Sequence, residues 1–180
     1  MIGVVGLMKQ AQPTANAEPR MNVRAATNAE VSHLAKLWYD GWQDAHSAVL
    51  PAELAKHRTL DSFRHRIQSD LTNVRVAGPY GSPVGFCMVK GDELYQLYVS
   101  ALERGTGVAA ALLADAEAQL AAIGIESAWL ACAIGNERAK KFYEKHGWHC
   151  VGTVTSQLDT PDGLFPLDVW RYEKDLLESP

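Results

Sequence analysis

The amino-acid sequence predicts a single domain of the α/β class, and three observations lead to that prediction. The length of 180 residues lies within the usual single-domain range, and 47% hydrophobic residues can fill a core. Strand-like segments and helix-like segments follow one another from Asn22 onward. Neither an internal repeat nor a long linker interrupts that succession. We therefore expect residues 22–180 to form one domain.

Residues 1–21 are expected to be a disordered leader. The first seven residues are apolar, but they are too few for a secretory signal and no basic residue precedes them. Residues 10–20 are rich in Ala, Pro, Asn and Thr, and the periodic sequence begins only at Asn22. Met8 and Met21 are alternative start positions.

The first half of the domain predicts a strand, two helices and three strands. Residues 22–26 have the pattern of a short strand, and Thr27 to Glu30 has the spacing of a helix capping box. The helix that follows carries an apolar stripe, and a second helix is predicted after Pro51. Strands at 74–77, 84–89 and 94–99 are separated by turn-forming clusters and predict an antiparallel meander. The stripes of the two helices comprise Val31, Leu34, Ala35, Trp38 and Trp42, and Leu54, Leu60, Phe63 and Ile67.

The second half alternates between helix and strand. A helix is predicted over residues 106–123, a strand over 127–133 and a helix over 136–146. Two closing strands, 148–156 and 166–172, are joined by a predicted loop over 157–165. The predicted order is therefore strand, two helices, three strands, helix, strand, helix and two strands.

Charge and cysteine content limit the function classes. The net charge of −4 argues against a general nucleic-acid binder, so small molecules are the expected partners. No apolar run approaches the roughly 18 residues that a bilayer span requires, and we expect no membrane partner. The three cysteines, Cys87, Cys132 and Cys150, lack CxxC spacing and are expected to be reduced core residues of a cytoplasmic protein.

Residues 102–113, LERGTGVAAALL, place two glycines at the start of a helix. Gly-x-Gly at such a position lets the backbone approach a phosphate, although a tight turn that needs small residues for packing is the simpler alternative. Gly105, Gly107 and Ala110 also satisfy a dinucleotide-binding pattern, with Glu126 as the ribose-binding acid, but the preceding meander is the wrong context. A P-loop sequence is absent.

Two motifs together resemble the GNAT family of acetyltransferases. Arg104, Gly107 and Ala109 form R-x-x-G-x-A, which is similar to the family's pyrophosphate-binding motif. Residues 136–148, NERAKKFYEKHGW, resemble its N-x-x-A-x-x-F-Y-x-x-x-G-F/W helix. The resemblance implies the GNAT fold, with a central, mixed, mostly antiparallel sheet of about seven strands and about four helices. It also implies an acetyl-CoA-dependent N-acetyltransferase, a transferase that needs no metal.

The resemblance also implies which residues contact the co-substrate, acetyl-CoA. Backbone N–H groups of the glycine loop would bind the pyrophosphate, aided by the partial positive charge of the helix N-terminus. A bulge in the fourth strand would free backbone groups near Leu97 and Val99 for the pantetheine amides. Asn136 would contact the pantetheine arm, and as the first residue of a helix it is also an ordinary N-cap. The expected cofactor-binding residues are Leu97, Val99, Arg104, Gly105, Thr106, Gly107, Val108, Ala109, Asn136 and Phe142.

Acetyl transfer to an amine needs a base and a proton for the departing thiolate. Glu93, at the start of the fourth strand, is the expected base, whereas closing the turn before that strand is its structural alternative and Asp92 is the adjacent competitor. Tyr143 matches the tyrosine that often protonates the thiolate in this family, although it also lies on an apolar helical stripe. Both are our expected catalytic residues.

The acceptor is an amine whose identity the sequence does not specify. Trp38, Trp42 and His46 are expected to line its pocket, although the two tryptophans also fit the core stripe. His146, His149 and Cys150 do not have convincing metal spacing. We expect direct attack on acetyl-CoA, within a ternary complex, by a primary amine of a small molecule or peptide. A non-catalytic acyl-CoA sensor of the same fold is the alternative, and a homodimer is compatible with the resemblance.

Overall fold

The computed structural model describes residues 22–177, which contain a seven-stranded sheet. The strands are β1 (Val23–Ala25), β2 (Val74–Ala77), β3 (Gly85–Lys90), β4 (Glu93–Val99), β5 (Ser127–Ala133), β6 (His149–Thr160) and β7 (Gly163–Asp175). Their order is β1-β2-β3-β4-β5-β7-β6, and β4 and β5 are parallel whereas every other neighbouring pair is antiparallel. The predicted α/β class and the mixed, mostly antiparallel sheet are confirmed. The expected leader lies outside the described residues.

The described residues contain five α-helices rather than the expected four. They are α1 (Val31–His46), α2 (Ala52–Ala55), α3 (Leu60–Ser69), α4 (Val108–Ala122) and α5 (Glu137–Lys145). The prediction of a single helix after Pro51 is wrong, because this segment forms two helices, α2 and α3. Thr59 is the N-cap of α3, and its Oγ1 accepts a hydrogen bond from the Ser62 N–H at 3.2 Å. Leu60 therefore follows a break and is exposed instead of lying on the apolar stripe.

The last two strands are longer than expected. β6 continues to Thr160 and β7 begins at Gly163, so the predicted loop over 157–165 is instead the end of a hairpin closed by residues 161 and 162. Leu158 and Phe165 are paired across it and pack against the core, which explains why strand structure persists there. Trp148 is buried ahead of β6, and Cys150 on β6 is exposed rather than in the core.

Helices cover both faces of the sheet. One apolar cluster packs α4 against Cys87, Leu130 and Tyr172, and the other packs α1 and α3 against Phe86 and Met88. The neighbours Phe86 and Cys87 belong to different clusters because successive strand residues point to opposite faces. Among the described residues, no helix is long and apolar enough to cross a membrane.

Glu30 carries the capping box and is fully buried. Its carboxylate accepts from the Thr27 N–H at 2.9 Å, from the Gly81 N–H at 2.9 Å and from Arg24 Nη2 at 2.6 Å. The hydrogen bonds with Arg24 are the main reason that the pKa of Glu30 falls from 4.5 to about 2. This carboxylate therefore stabilises the fold fully above about pH 4.5, and the stabilisation is lost as the pH falls towards 2.

Glu30→Gln is expected to lower the free energy of unfolding at pH 7 by about 3 kcal/mol. The substitution removes the negative charge that pairs with Arg24. It also puts the glutamine NH2 group, which is a donor, where a carboxylate oxygen accepts hydrogen bonds. Urea unfolding provides the measurement. Asp40→Asn is the matched control, since Asp40 pairs with Lys36 on an exposed helix surface and should change the free energy by less than about 0.5 kcal/mol. Equal effects of the two substitutions would contradict the structural role of Glu30.

Candidate active site

The sheet opens between its two parallel strands. β4 and β5 share one register pair, Glu93 with Trp129, and no pair beyond it. On its other edge, β4 pairs with β3. Two consecutive β3 residues pair with Gln96 and Leu94, so Tyr95, which lies between these two, is an extra residue of β4. Such a bulge bends and twists its strand. The two strands therefore separate from Glu93 towards Val99, as the family resemblance implied.

A cavity of about 900 Å³ occupies this opening. It extends from the loop before α4, between β4 and β5, to α1 and the β6–β7 hairpin. Thirteen of the fifteen residues predicted to form the site line it, whereas Thr106 and Val108 do not. The lining residues are Trp38, Trp42, His46, Glu93, Leu97, Val99, Arg104, Gly105, Gly107, Ala109, Asn136, Phe142 and Tyr143.

The glycine loop presents free backbone donors to one end of the cavity. Gly107 precedes α4 with a φ of 91°, a conformation that favours glycine. A Cβ atom added at Gly105 or Gly107 would meet no protein atom within 4 Å, so packing against the protein does not explain the glycines. The N–H groups of Gly105, Gly107, Val108 and Ala109 donate no hydrogen bond to a described residue. This loop can therefore accommodate an anion.

Thr106 and Val108 differ from the other loop residues. Thr106 turns away from the cavity, since its N–H and hydroxyl both donate to the Glu103 carbonyl, at 3.3 and 2.7 Å. The side chain of Val108 is buried in the core. Only its backbone N–H is available to a ligand.

Two arginines flank the loop and share one carboxylate. Arg104 Nη2 lies 2.6 Å from Asp44 Oδ2, and Arg138 Nη2 lies 2.9 Å from the same oxygen. Hydrogen bonds with Arg138 and then Arg104 are the main causes that lower the pKa of Asp44. Asp44 thereby orients the two cations beside the glycine loop.

The middle of the cavity is built by β4 and α5. Leu97 and Val99 pair with β3 on one side, whereas no strand pairs with them on the β5 side. Asn136 is an N-cap, whose Oδ1 accepts from the Ala139 N–H at 3.2 Å, and it also lines the cavity. Phe142 lies six residues further along the chain, on α5, and also lines the cavity. This segment can therefore hold a long, partly polar chain.

Glu93 lies where β4 and β5 begin to diverge. Burial is the main cause that raises the pKa of its carboxyl group to about 7, and Asp92 adds repulsion that Lys90 and Arg171 oppose. A carboxyl group with this pKa exchanges a proton readily near neutral pH. Asp92 does not line the cavity, and its Oδ1 accepts from Trp129 Nε1 at 2.9 Å.

Tyr143 faces the cavity from α5. Burial raises the pKa of its phenol well above the usual range, so the hydroxyl stays protonated at neutral pH. Tyr143 is half-buried and makes no hydrogen bond through this hydroxyl within residues 22–177. The phenol is thus available as a proton donor to a bound group.

The opposite wall contains the residues expected to hold the acceptor. Trp38 and Trp42 are buried in the α1–α3 core and also line the cavity, so the core and pocket interpretations both apply. Burial lowers the pKa of His46 to about 4, which keeps the imidazole neutral, and its Nδ1 lies 3.5 Å from the Tyr98 hydroxyl. Within residues 22–177, no three His, Cys, Asp or Glu side chains cluster as metal ligands would.

Two lining residues, Arg58 and Arg66, were missed by sequence reasoning. Arg58 lies in the break between α2 and α3, which the sequence did not reveal, and only 7% of its surface is exposed. Arg66 lies on α3, and the apolar stripe predicted for that segment did not include it. Neither position carries a sequence signal that distinguishes it from a surface arginine.

Comparisons with known proteins identify the family. The model of the Acetyltransferase (GNAT) family matches residues 32–148. An uncharacterized N-acetyltransferase of Mycobacterium bovis is 35% identical over 120 residues, which cover 62% of this chain and 77% of the relative. An uncharacterized N-acetyltransferase of Mycobacterium tuberculosis matches with the same values.

Solved structures share the fold at low sequence identity. An N-acetyltransferase from Staphylococcus aureus superposes with a TM-score of 0.66 at 21% identity, over 86% of this chain and 98% of that one. The paiA N-acetyltransferase of Thermoplasma acidophilum, solved with coenzyme A, gives 0.60 at 18% identity over 86% and 98%. The family match spans more than half of the chain and includes both motifs. The chain therefore belongs to the GNAT family and is an acetyl-CoA-dependent acyltransferase.

Proposed function

We propose that the protein transfers the acetyl group of acetyl-CoA to a primary amine of a small molecule or a peptide, by direct attack in a ternary complex. The observation that carries this proposal is that one cavity joins free backbone donors at the glycine loop to Glu93 and Tyr143. A single bound molecule can therefore have its anionic end at the loop and its reacting end beside both catalytic candidates.

In this proposal acetyl-CoA lies in the cavity in one direction. The pyrophosphate would accept hydrogen bonds from Gly105, Gly107, Val108 and Ala109, next to the positive end of α4. The pantetheine would extend along the unpaired edge of β4 at Leu97 and Val99, past Asn136 and Phe142. The Thermoplasma protein was solved with coenzyme A, and the Salmonella typhimurium protein yncA with acetyl-CoA.

The reaction then follows from the two ionisable groups. Glu93 accepts a proton from the ammonium, directly or through ordered water, because an amine with a pKa near 10.4 is protonated at neutral pH. The neutral nitrogen attacks the thioester carbonyl, so the N–C bond forms as the C–S bond breaks. Tyr143 donates a proton to the departing sulfur, and the proton of the product nitrogen leaves to solvent. Exchange with water then returns a proton to Tyr143 and removes one from Glu93. The products are the N-acetylated acceptor and coenzyme A.

The test combines binding with turnover. Acetyl-CoA, and not NADH, is expected to raise the melting temperature, and a panel of amines is then screened for amine-dependent release of coenzyme A. Binding without amine-dependent release for any amine would favour the sensor alternative. Stabilisation by NADH alone would contradict acetyl-CoA binding.

Tyr143→Phe is expected to lower kcat by about 10²-fold, because the sulfur loses its proton donor while the ring keeps its packing. The melting-temperature shift produced by acetyl-CoA should remain. Tyr80→Phe is the matched control, since Tyr80 is exposed and does not line the cavity. An unchanged kcat in Tyr143→Phe would assign the tyrosine to the core alone.

A further inference from the structure

Two arginines in the cavity lack the carboxylate partners that the other arginines have. Residues 22–177 contain eight arginines, and six of them lie within 4.0 Å of a carboxylate oxygen. The six are Arg24, Arg64, Arg75, Arg104, Arg138 and Arg171. The remaining two, Arg58 and Arg66, both line the cavity.

Arg58 is a nearly buried cation without a counter-ion among the described residues. Its Nη1 donates to the backbone carbonyl of Asp159 at 3.3 Å, and the carboxylate of that residue attracts it only from beyond ion-pair distance. Burial and the neighbouring Arg66 lower the pKa of Arg58. Burying a charge without a partner is costly, so a functional reason is needed for a guanidinium here.

Arg66 holds its guanidinium against aromatic rings. Its Cζ lies 4.4 Å from the centre of the Trp38 ring, and Nη2 donates to the Tyr95 hydroxyl. These contacts fix its orientation but leave its charge without an anion. Two guanidinium groups in one cavity repel each other, and an anion between them would relieve the repulsion.

Trp38 lies in the same wall and contacts Arg66. Its buried Nε1–H points towards the Tyr98 hydroxyl, where it opposes the burial that raises the pKa of that phenol. Within residues 22–177, the charges without carboxylate partners in this wall are therefore those of Arg58 and Arg66.

We propose that the acetyl acceptor is an amine that also carries an anionic group, a carboxylate or a phosphonate, and that Arg58 and Arg66 bind this group. The proposal rests on the proposed function and adds the substrate class to it. Tyr95, which holds Arg66, follows Glu93 by two residues on β4, so the two arginines lie on the wall next to the expected base. This adjacency suits an acceptor whose amine and anionic group are separated by a few bonds, as in an amino acid.

The binding test compares each acid with its neutral counterpart. The proteinogenic L-amino acids and aminoethylphosphonate are titrated by calorimetry into protein saturated with coenzyme A, alongside the amino-acid amides and ethylamine. At least one acid is expected to bind more than about tenfold tighter than its neutral counterpart, since charge-assisted bonds to guanidinium are among the stronger ones. If no acid binds tighter than its counterpart, the proposal is wrong.

Substitutions of the two arginines test whether they cause the preference for an acid over its neutral counterpart. Arg58→Gln and Arg66→Gln are each expected to weaken binding of the preferred acid by about tenfold or more, and to leave the neutral counterpart within about twofold. Arg64→Gln is the matched control, because Arg64 is exposed on α3 and pairs with Asp61. Weaker binding of acetyl-CoA by the Arg58 and Arg66 variants would instead assign these arginines to a coenzyme A phosphate.

A stability measurement separates an anion site from a structural role. Arg58→Met keeps an apolar stem and removes the unpaired charge, so the melting temperature of the ligand-free protein is expected to stay constant or rise. A clear fall would show that Arg58 holds the β6–β7 hairpin through the Asp159 carbonyl and would overturn its role in anion binding.

The same acids and neutral counterparts in the coenzyme A release assay distinguish the two proposals. Acetylation of neutral amines as efficiently as of acids would overturn the anionic acceptor and leave the acetyltransferase proposal intact. Selective binding of an acid without acetylation of any compound would retain the anion site and overturn catalysis.

Discussion

Glu93→Gln is expected to lower kcat at pH 8 by about 10²-fold or more, because glutamine keeps the shape of the side chain but cannot accept a proton. The affinity for acetyl-CoA should change little, since the glycine loop that would bind the pyrophosphate lies at the other end of the cavity. Coenzyme A release under saturating acetyl-CoA measures kcat, and the melting-temperature shift produced by acetyl-CoA reports binding.

The pH dependence of kcat/KM tests whether the lower kcat of Glu93→Gln comes from the loss of a proton acceptor. Burial raises the pKa of Glu93 to about 7, so the carboxyl group is protonated below that pH and ionised above it. Only the ionised form can act as a base, and kcat/KM of the unsubstituted enzyme should therefore rise with pH through about 7. In Glu93→Gln this rise should vanish, leaving the dependence that comes from the acceptor's own pKa.

Asp92→Asn is the matched control for charge at the same turn. Asp92 contacts Trp129 rather than the cavity, so its loss should change kcat less than about threefold. A loss as large as that of Glu93→Gln would assign catalysis to the pair of carboxylates or to Asp92. A pH profile that persists in Glu93→Gln would assign the base to ordered water or to another residue.

The two motifs were predictable because their chemistry depends on short-range sequence. A glycine before α4 and an aromatic pair on α5 have fixed positions relative to their helices, so spacing alone places Gly107, Phe142 and Tyr143 on defined elements. The turn-forming clusters likewise marked the ends of β2, β3 and β4. Local periodicity therefore identified most elements and their order.

The missed features depend on contacts between distant segments. The bulge at Tyr95 is defined by its pairing with β3, and the exposed or buried state of Arg58 depends on where the β6–β7 hairpin lies. Asp44 meets Arg104 and Arg138 across 60 and 94 residues. No local pattern encodes such pairings, and the break before α3 was hidden by an apolar spacing that continues across it.

Gly107→Trp is expected to weaken acetyl-CoA binding by about 100-fold or more, because the side chain would occupy the space in front of the free N–H groups. A ligand at 100 times its dissociation constant adds about 2.7 kcal/mol to the free energy of unfolding. In a chain of this size that corresponds to a shift of roughly 5–10 °C, which should nearly vanish in the variant. Thermal unfolding with and without acetyl-CoA gives both values.

The control must carry the same backbone strain, since Gly107 has a positive φ and any other residue there costs about 1–2 kcal/mol. Gly124, just beyond the other end of α4, has a φ of 85° and equally open surroundings. Gly124→Trp should therefore lower the melting temperature of the ligand-free protein about as much, while the shift produced by acetyl-CoA persists. If both variants keep that shift, the glycine loop does not hold the pyrophosphate. If both lose it, strain in α4 rather than occupied space is responsible.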